Sequence, residues 1–83
     1  DTPGLQIDIL VRRSGDVLSL IECKFTSNPI GLSVIEEVKR KIAFLEAPSK
    51  YSIERVLISA GDVTSGVLNS GFFNQIIGID ALF

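Results

Sequence analysis

Two runs of β-branched and aliphatic residues, 7–11 and 18–25, stand on either side of the link Arg13-Ser14-Gly15-Asp16. Their composition predicts two strands, and the glycine can take the positive φ that tight hairpin loops require. No other feature restricts the fold as much, because the length of this loop sets the register of everything paired across it. With Ser14-Gly15-Asp16 as a three-residue loop, Arg13 faces Val17, Asp8 faces Glu22 and Gln6 faces Lys24. A five-residue loop keeps these pairs, whereas a two-residue loop sets Asp8 opposite Ile21. Side chains alternate between faces, so Glu22 and Lys24 share one face, and in the first register Asp8 joins them.

These three charges are out of keeping with the apolar strands that carry them. Isolated charges are seldom buried unless paired or bound to a metal, because desolvating them is very costly. Two acids and an amine brought together by a hairpin therefore point to a site. A structural ion-pair group at a sheet edge, with Lys24 neutralising Asp8 and Glu22, satisfies the same pattern.

The rest of the chain supplies a frame for it. Val34, Ile35, Val38, Ile42 and Leu45 recur at helical spacing, and Ser33-Val34-Ile35-Glu36 has the form of a capping box. Pro48 is expected to stop this helix. Residues 53–60 read as a third strand closed by Gly61-Asp62, 63–71 as a loop, 75–79 as a short fourth strand, and 80–83 as a capped helical turn. Hairpin, helix, strand, strand predicts a single α/β (α+β) domain over residues 1–83, a mixed sheet with a helix on one face.

Composition limits the chemistry. The chain has no histidine, which excludes Ser–His and Cys–His catalysis and most zinc sites, and leaves oxygen-ligated hard ions such as magnesium, manganese or calcium. Cys23 is the single cysteine, so no internal disulfide forms and a reducing, cytoplasmic setting is expected. No apolar run approaches the roughly 18 residues of a membrane span, so no membrane partner is expected. A net charge of −2 gives no overall basic footprint for nucleic acid. Arg12-Arg13 and the run Lys39-Arg40-Lys41 are local exceptions, the latter reading as a solvated helix face. With 83 residues and no methionine, the chain is expected to be part of a longer protein.

Aspartate, about a dozen residues, then Glu-x-Lys on the following strand resembles the PD-(D/E)xK nuclease superfamily, whose fold is restriction-endonuclease-like. The match lies in Asp8 and Glu22-Cys23-Lys24. More narrowly, Gln6-Ile7-Asp8-Ile9-Leu10, Ile21-Glu22-Cys23-Lys24-Phe25 and Ile79-Asp80-Ala81-Leu82-Phe83 are similar to segments closing a group of prokaryotic AAA-type ATPases. The proline of the motif's name is absent, Ile7 standing before Asp8, and only Asp1 to Leu5 precede the strand segment that begins at Gln6. The resemblance thus implies a nuclease-like domain lacking the N-terminal helix and strand of the full fold, with an ATPase module upstream.

The resemblance also assigns roles. Asp8 and Glu22, with the backbone carbonyl of Cys23, would bind Mg2+ or Mn2+, and Lys24 would act on the attacking water. From the hairpin register and the basic run, rather than from the resemblance, Gln6, Arg12, Lys39 and Arg40 are further candidates for contact with substrate. The expected activity is metal-dependent hydrolysis of DNA phosphodiesters. The alternative is a catalytically inactive nuclease-like domain used for nucleic-acid or protein docking, or for homo-oligomerisation through an exposed sheet edge.

Overall fold

The computed structural model describes residues 5–26, 28–45 and 50–79. Strand β1 (Leu5–Arg13) turns through residues 14–16 into β2 (Val17–Phe25). Helix α1 (Ser33–Phe44) crosses over to β3 (Ser52–Ser59), and a short helix α2 (Ser65–Ser70) crosses to β4 (Gln75–Gly78). The sheet is mixed, in the order β1-β2-β3-β4, with β1 antiparallel to β2 and the other neighbours parallel. Residues 80–83, read from sequence as a terminal helical turn, and Pro48, read as the helix stop, lie outside the described residues.

The hairpin takes the three-residue loop. Gly15 and Asp16 both adopt positive φ, 78° and 57°, so the left-handed turn draws on an aspartate as well as the glycine. The resulting register is Asp8↔Glu22, Gln6↔Lys24 and Arg12↔Leu18. Parallel pairing then continues the same face into β3, through Leu20↔Arg55, Glu22↔Leu57 and Lys24↔Ser59.

Both helices lie on that face. Parallel neighbours need a crossover, and α1 supplies the first by burying Val34, Ile35 and Val38 against Leu20 and Leu57. Ile30, Val67 of α2 and Phe73 complete the cluster, with Ile53 and Ile76 among the residues packed beside them. Beyond the strands, the two connections hold each other: Ile30 donates to the Asp62 carbonyl and accepts from the Thr64 amide, 2.8 and 3.0 Å.

Two local readings are corrected. The Ser33 capping box does not form, because the helix starts one residue earlier: Leu32 is already in helical geometry and makes no side-chain cap. Backbone bonds from Val34 to the Gly31 carbonyl and from Ile35 to the Leu32 carbonyl close the first turn instead. The segment 63–71 is not a plain loop, since it contains α2. Thr64, extended and accepting from the Val67 amide, starts that helix, and Gly71, at φ 70°, ends it in the left-handed conformation.

Candidate functional site

Glu22 is the decisive residue. It sits in β2, between β1 and β3, under α1, and is 0% exposed. A lysine is hydrogen-bonded to it, though not the one two residues away. Lys41, from the last turn of α1, places its Nζ 2.9 and 3.1 Å from the two Glu22 carboxylate oxygens and 2.9 Å from Asp8. One ammonium thus holds two carboxylates from adjacent strands. Asp8 is about 40% exposed at its side chain and Lys41 about 30%, so the cluster runs from a sealed inner end to a solvent-facing outer one.

Lys24 has a different partner. Its ammonium lies 2.8 Å from Glu37, one helical turn before Lys41. The two pairs cross: β2 offers acid then base, Glu22 and Lys24, and α1 offers acid then base, Glu37 and Lys41. Because α1 runs back against β2 in the crossover, the sequences meet in opposite order and each charge finds its complement. Asp8, Glu22 and Lys24 do share one face, as the register requires, but the amine bound to the acid pair is Lys41.

Lys41 read from sequence as one of three solvated lysine and arginine residues, and this is corrected here. Lys39 and Arg40 are exposed, whereas Lys41 is half-buried. The sequence did hold a signal, since Lys41 stands seven residues after Val34 and three after Val38, on the inward stripe of the helix.

Electrostatics follow the burial. Desolvation pushes the Glu22 carboxyl above its ordinary value, with Asp8 opposite adding to the rise and Lys41 opposing it. Burial works against the Lys41 ammonium too, but its bonds to Asp8 and Glu22 more than offset this and raise its pKa. The Cys23 thiol, buried on the opposite face of β2, is also pushed up, first by burial and then by the neighbouring acids. That makes it a packing group rather than a nucleophile. Its backbone carbonyl belongs to a strand paired on both sides.

The weaker substrate-contact candidates scatter. Arg12 shares the face of Asp8, but four residues along a strand separates them by about 13 Å. Its guanidinium donates to the Tyr51 hydroxyl and lies over that ring, 5.4 Å from the centroid, so it does not line the acid pair. Lys39 pairs with Glu36 at 3.5 Å and approaches the Phe72 ring. Arg40 is exposed on α1, and Gln6 stands opposite Lys24 in the register.

Chemically, the arrangement is a cation seat. Two hard carboxylate oxygens converge on one point, the donor type that magnesium and manganese accept when water and substrate oxygens fill the remaining positions. Asp8 and Glu22 therefore fit such an ion, at the position that the Lys41 ammonium takes. Among the described residues, no three or more His, Cys, Asp or Glu side chains gather as a metal cluster. No described helix is long and apolar enough to cross a membrane. Compared with family models, with curated proteins and with solved structures, the chain finds no match.

Proposed function

We propose that this chain is a metal-dependent phosphodiesterase domain of the PD-(D/E)xK type, acting on DNA in the cytoplasm as part of a prokaryotic AAA-type ATPase. The observation that carries this reading is the convergence of Asp8 and the fully buried Glu22 on a single cation position, with Lys24 next along the same face. A magnesium or manganese ion held there by Asp8 and Glu22 would polarise the scissile phosphate and lower the pKa of a bound water. Glu22, locked in the sheet, fixes the inner ligand. Asp8, at the rim, is the ligand that meets incoming substrate. Lys24, steadied by Glu37, stands beside them to orient that water and to offset charge on the phosphate.

The test is cleavage of supercoiled plasmid with magnesium or manganese. Asp8→Ala and Glu22→Gln should each lower the rate by about 10²-fold or more. Lys24→Ala should lower it by about 10²- to 10⁴-fold. Cleavage unchanged in these variants, or none by the native protein with either metal on DNA or RNA, sinks the reading.

One observation favours a second reading, that of a nuclease-like domain used for docking. The Lys41 ammonium already neutralises much of the acid pair's charge, so the cluster stands without a metal. This reading expects DNA or protein binding that survives Glu22→Gln, with no cutting under any metal.

A further inference from the structure

We propose that Lys41 is the gate of the acid pair: a tethered cation that holds the metal position and gives it up when a phosphate draws the ammonium away. This rests on the reading of Asp8 and Glu22 as metal ligands. The ammonium nitrogen, 2.9 Å from each carboxylate, takes the position where an ion shared by the two acids would sit. A divalent ion and this ammonium therefore exclude one another.

The exchange is favoured by charge. Two carboxylates carry −2 and a single ammonium answers half of that, whereas a divalent ion answers all of it. The exchange is also open sterically. Asp8 and Lys41 both reach solvent at the outer end of the cluster, so an ion enters there without parting the sheet from α1. The lysine stem is four carbons long and flexible, and its head can swing outward while the helix backbone stays in place. Glu37, four residues earlier on the same helix, is already held by Lys24, so among the described residues it offers no strong alternative berth.

A released Lys41 consequently needs an anion from outside, and the backbone phosphate of a nucleic acid supplies one. Substrate and metal then bind with positive coupling: phosphate takes the ammonium, the vacated position takes the ion, and each tightens the other by the same factor. Without the phosphate, the Lys41 ammonium competes for the position and the acid pair takes metal only weakly. Lys41 acts here as a positioning residue, through access to the acids.

Manganese binding, followed by the electron paramagnetic resonance of the free ion, reads this without any turnover. It is measured with and without a DNA duplex carrying slowly hydrolysed phosphorothioate linkages, the manganese taken up by the duplex alone being subtracted. The native protein should bind manganese at least 10-fold more tightly with DNA than without. Lys41→Gln keeps a hydrogen-bond donor but removes the charge, and should bind manganese at least 10-fold more tightly than native without DNA, with the coupling lost. Lys41→Arg keeps the charge and should retain the weak DNA-free affinity. Equal manganese affinity in native and Lys41→Gln proteins overturns the gate while leaving the metal-site reading in place. Absence of manganese binding by either protein, with or without DNA, overturns both. A measurement on the native chain guards against misfolding of the variants. The Lys41 side-chain NMR signals should shift on titration with magnesium plus DNA, and signals that stay fixed while metal binds overturn the gate.

Discussion

Glu22 and Glu54 are both glutamates on the central strands, yet their surroundings move them in opposite directions. Burial raises the Glu22 carboxyl, so the folded protein holds a proton there more readily than the unfolded chain. Its contribution to stability is full below the ordinary carboxylate value and is lost as pH rises through the raised one. Glu54 is lowered, first by the Ser19 hydroxyl that donates to it at 2.6 Å and also by Arg13 at 2.9 Å. Its contribution is present above the ordinary value and is lost as pH falls through the lowered one. Urea unfolding of Glu22→Gln across the weakly acid range should therefore show a flatter decline with rising pH than the native chain. Glu54→Gln should flatten the acid limb instead. A Glu22→Gln profile parallel to native would show that Glu22 carries no burial penalty. The acid pair was legible in the sequence as one of two registers, because register follows from loop length: a two-residue loop sets Asp8 opposite Ile21, and the three-residue loop Ser14-Gly15-Asp16 that forms sets it opposite Glu22. Which lysine serves it was not, since hairpin periodicity says nothing of how α1 docks across β2, and that docking gives Lys24 to Glu37 and Lys41 to the acids.

At the scale of elements, long apolar periodicity was readable and short polar segments were not. The stripe Val34, Ile35, Val38 marked α1, and all three residues are buried. Helix α2 is six residues, Ser-Gly-Val-Leu-Asn-Ser, all but the leucine poor helix formers, so propensity alone argues for a loop. It forms because Val67 is buried against the sheet and its ends are held by Thr64 and Gly71. The joint between β3 and this helix depends on Gly61. A Cβ there would lie 2.5 Å from the Thr26 carbonyl oxygen, backbone that cannot step aside cheaply. Gly61→Ala should destabilise by about 1–3 kcal/mol in urea denaturation. Gly71→Ala, at positive φ with open space around it, should cost about 1 kcal/mol from backbone strain alone. A Gly61→Ala cost no larger than that of Gly71→Ala would show the close approach to be without consequence.

Across the whole molecule, the sheet has two unlike faces. One carries α1 and α2 over Leu20 and Leu57, and Leu57 is 0% exposed. On the other, Ile9, Val11 and Ile77 are exposed at the outer strands, while Cys23 and Val56 are buried at the centre. Leu57→Ala should therefore cost about 2–5 kcal/mol. Ile9→Thr, with little apolar surface to lose, should stay within about 1 kcal/mol, both read by urea denaturation. A large cost for Ile9→Thr would mean that this face is covered in solution. The crossed wiring of the charges has a consequence for how the fold assembles. Asp8 and Glu22 meet when a three-residue loop closes, but Lys41 reaches them only after α1 has crossed back over the sheet. Like charges set directly opposite oppose strand pairing. The hairpin, the most local piece of the fold, is thereby weakened by about 0.2–1 kcal/mol at this pair while it stands alone, and the docking of α1 removes that cost.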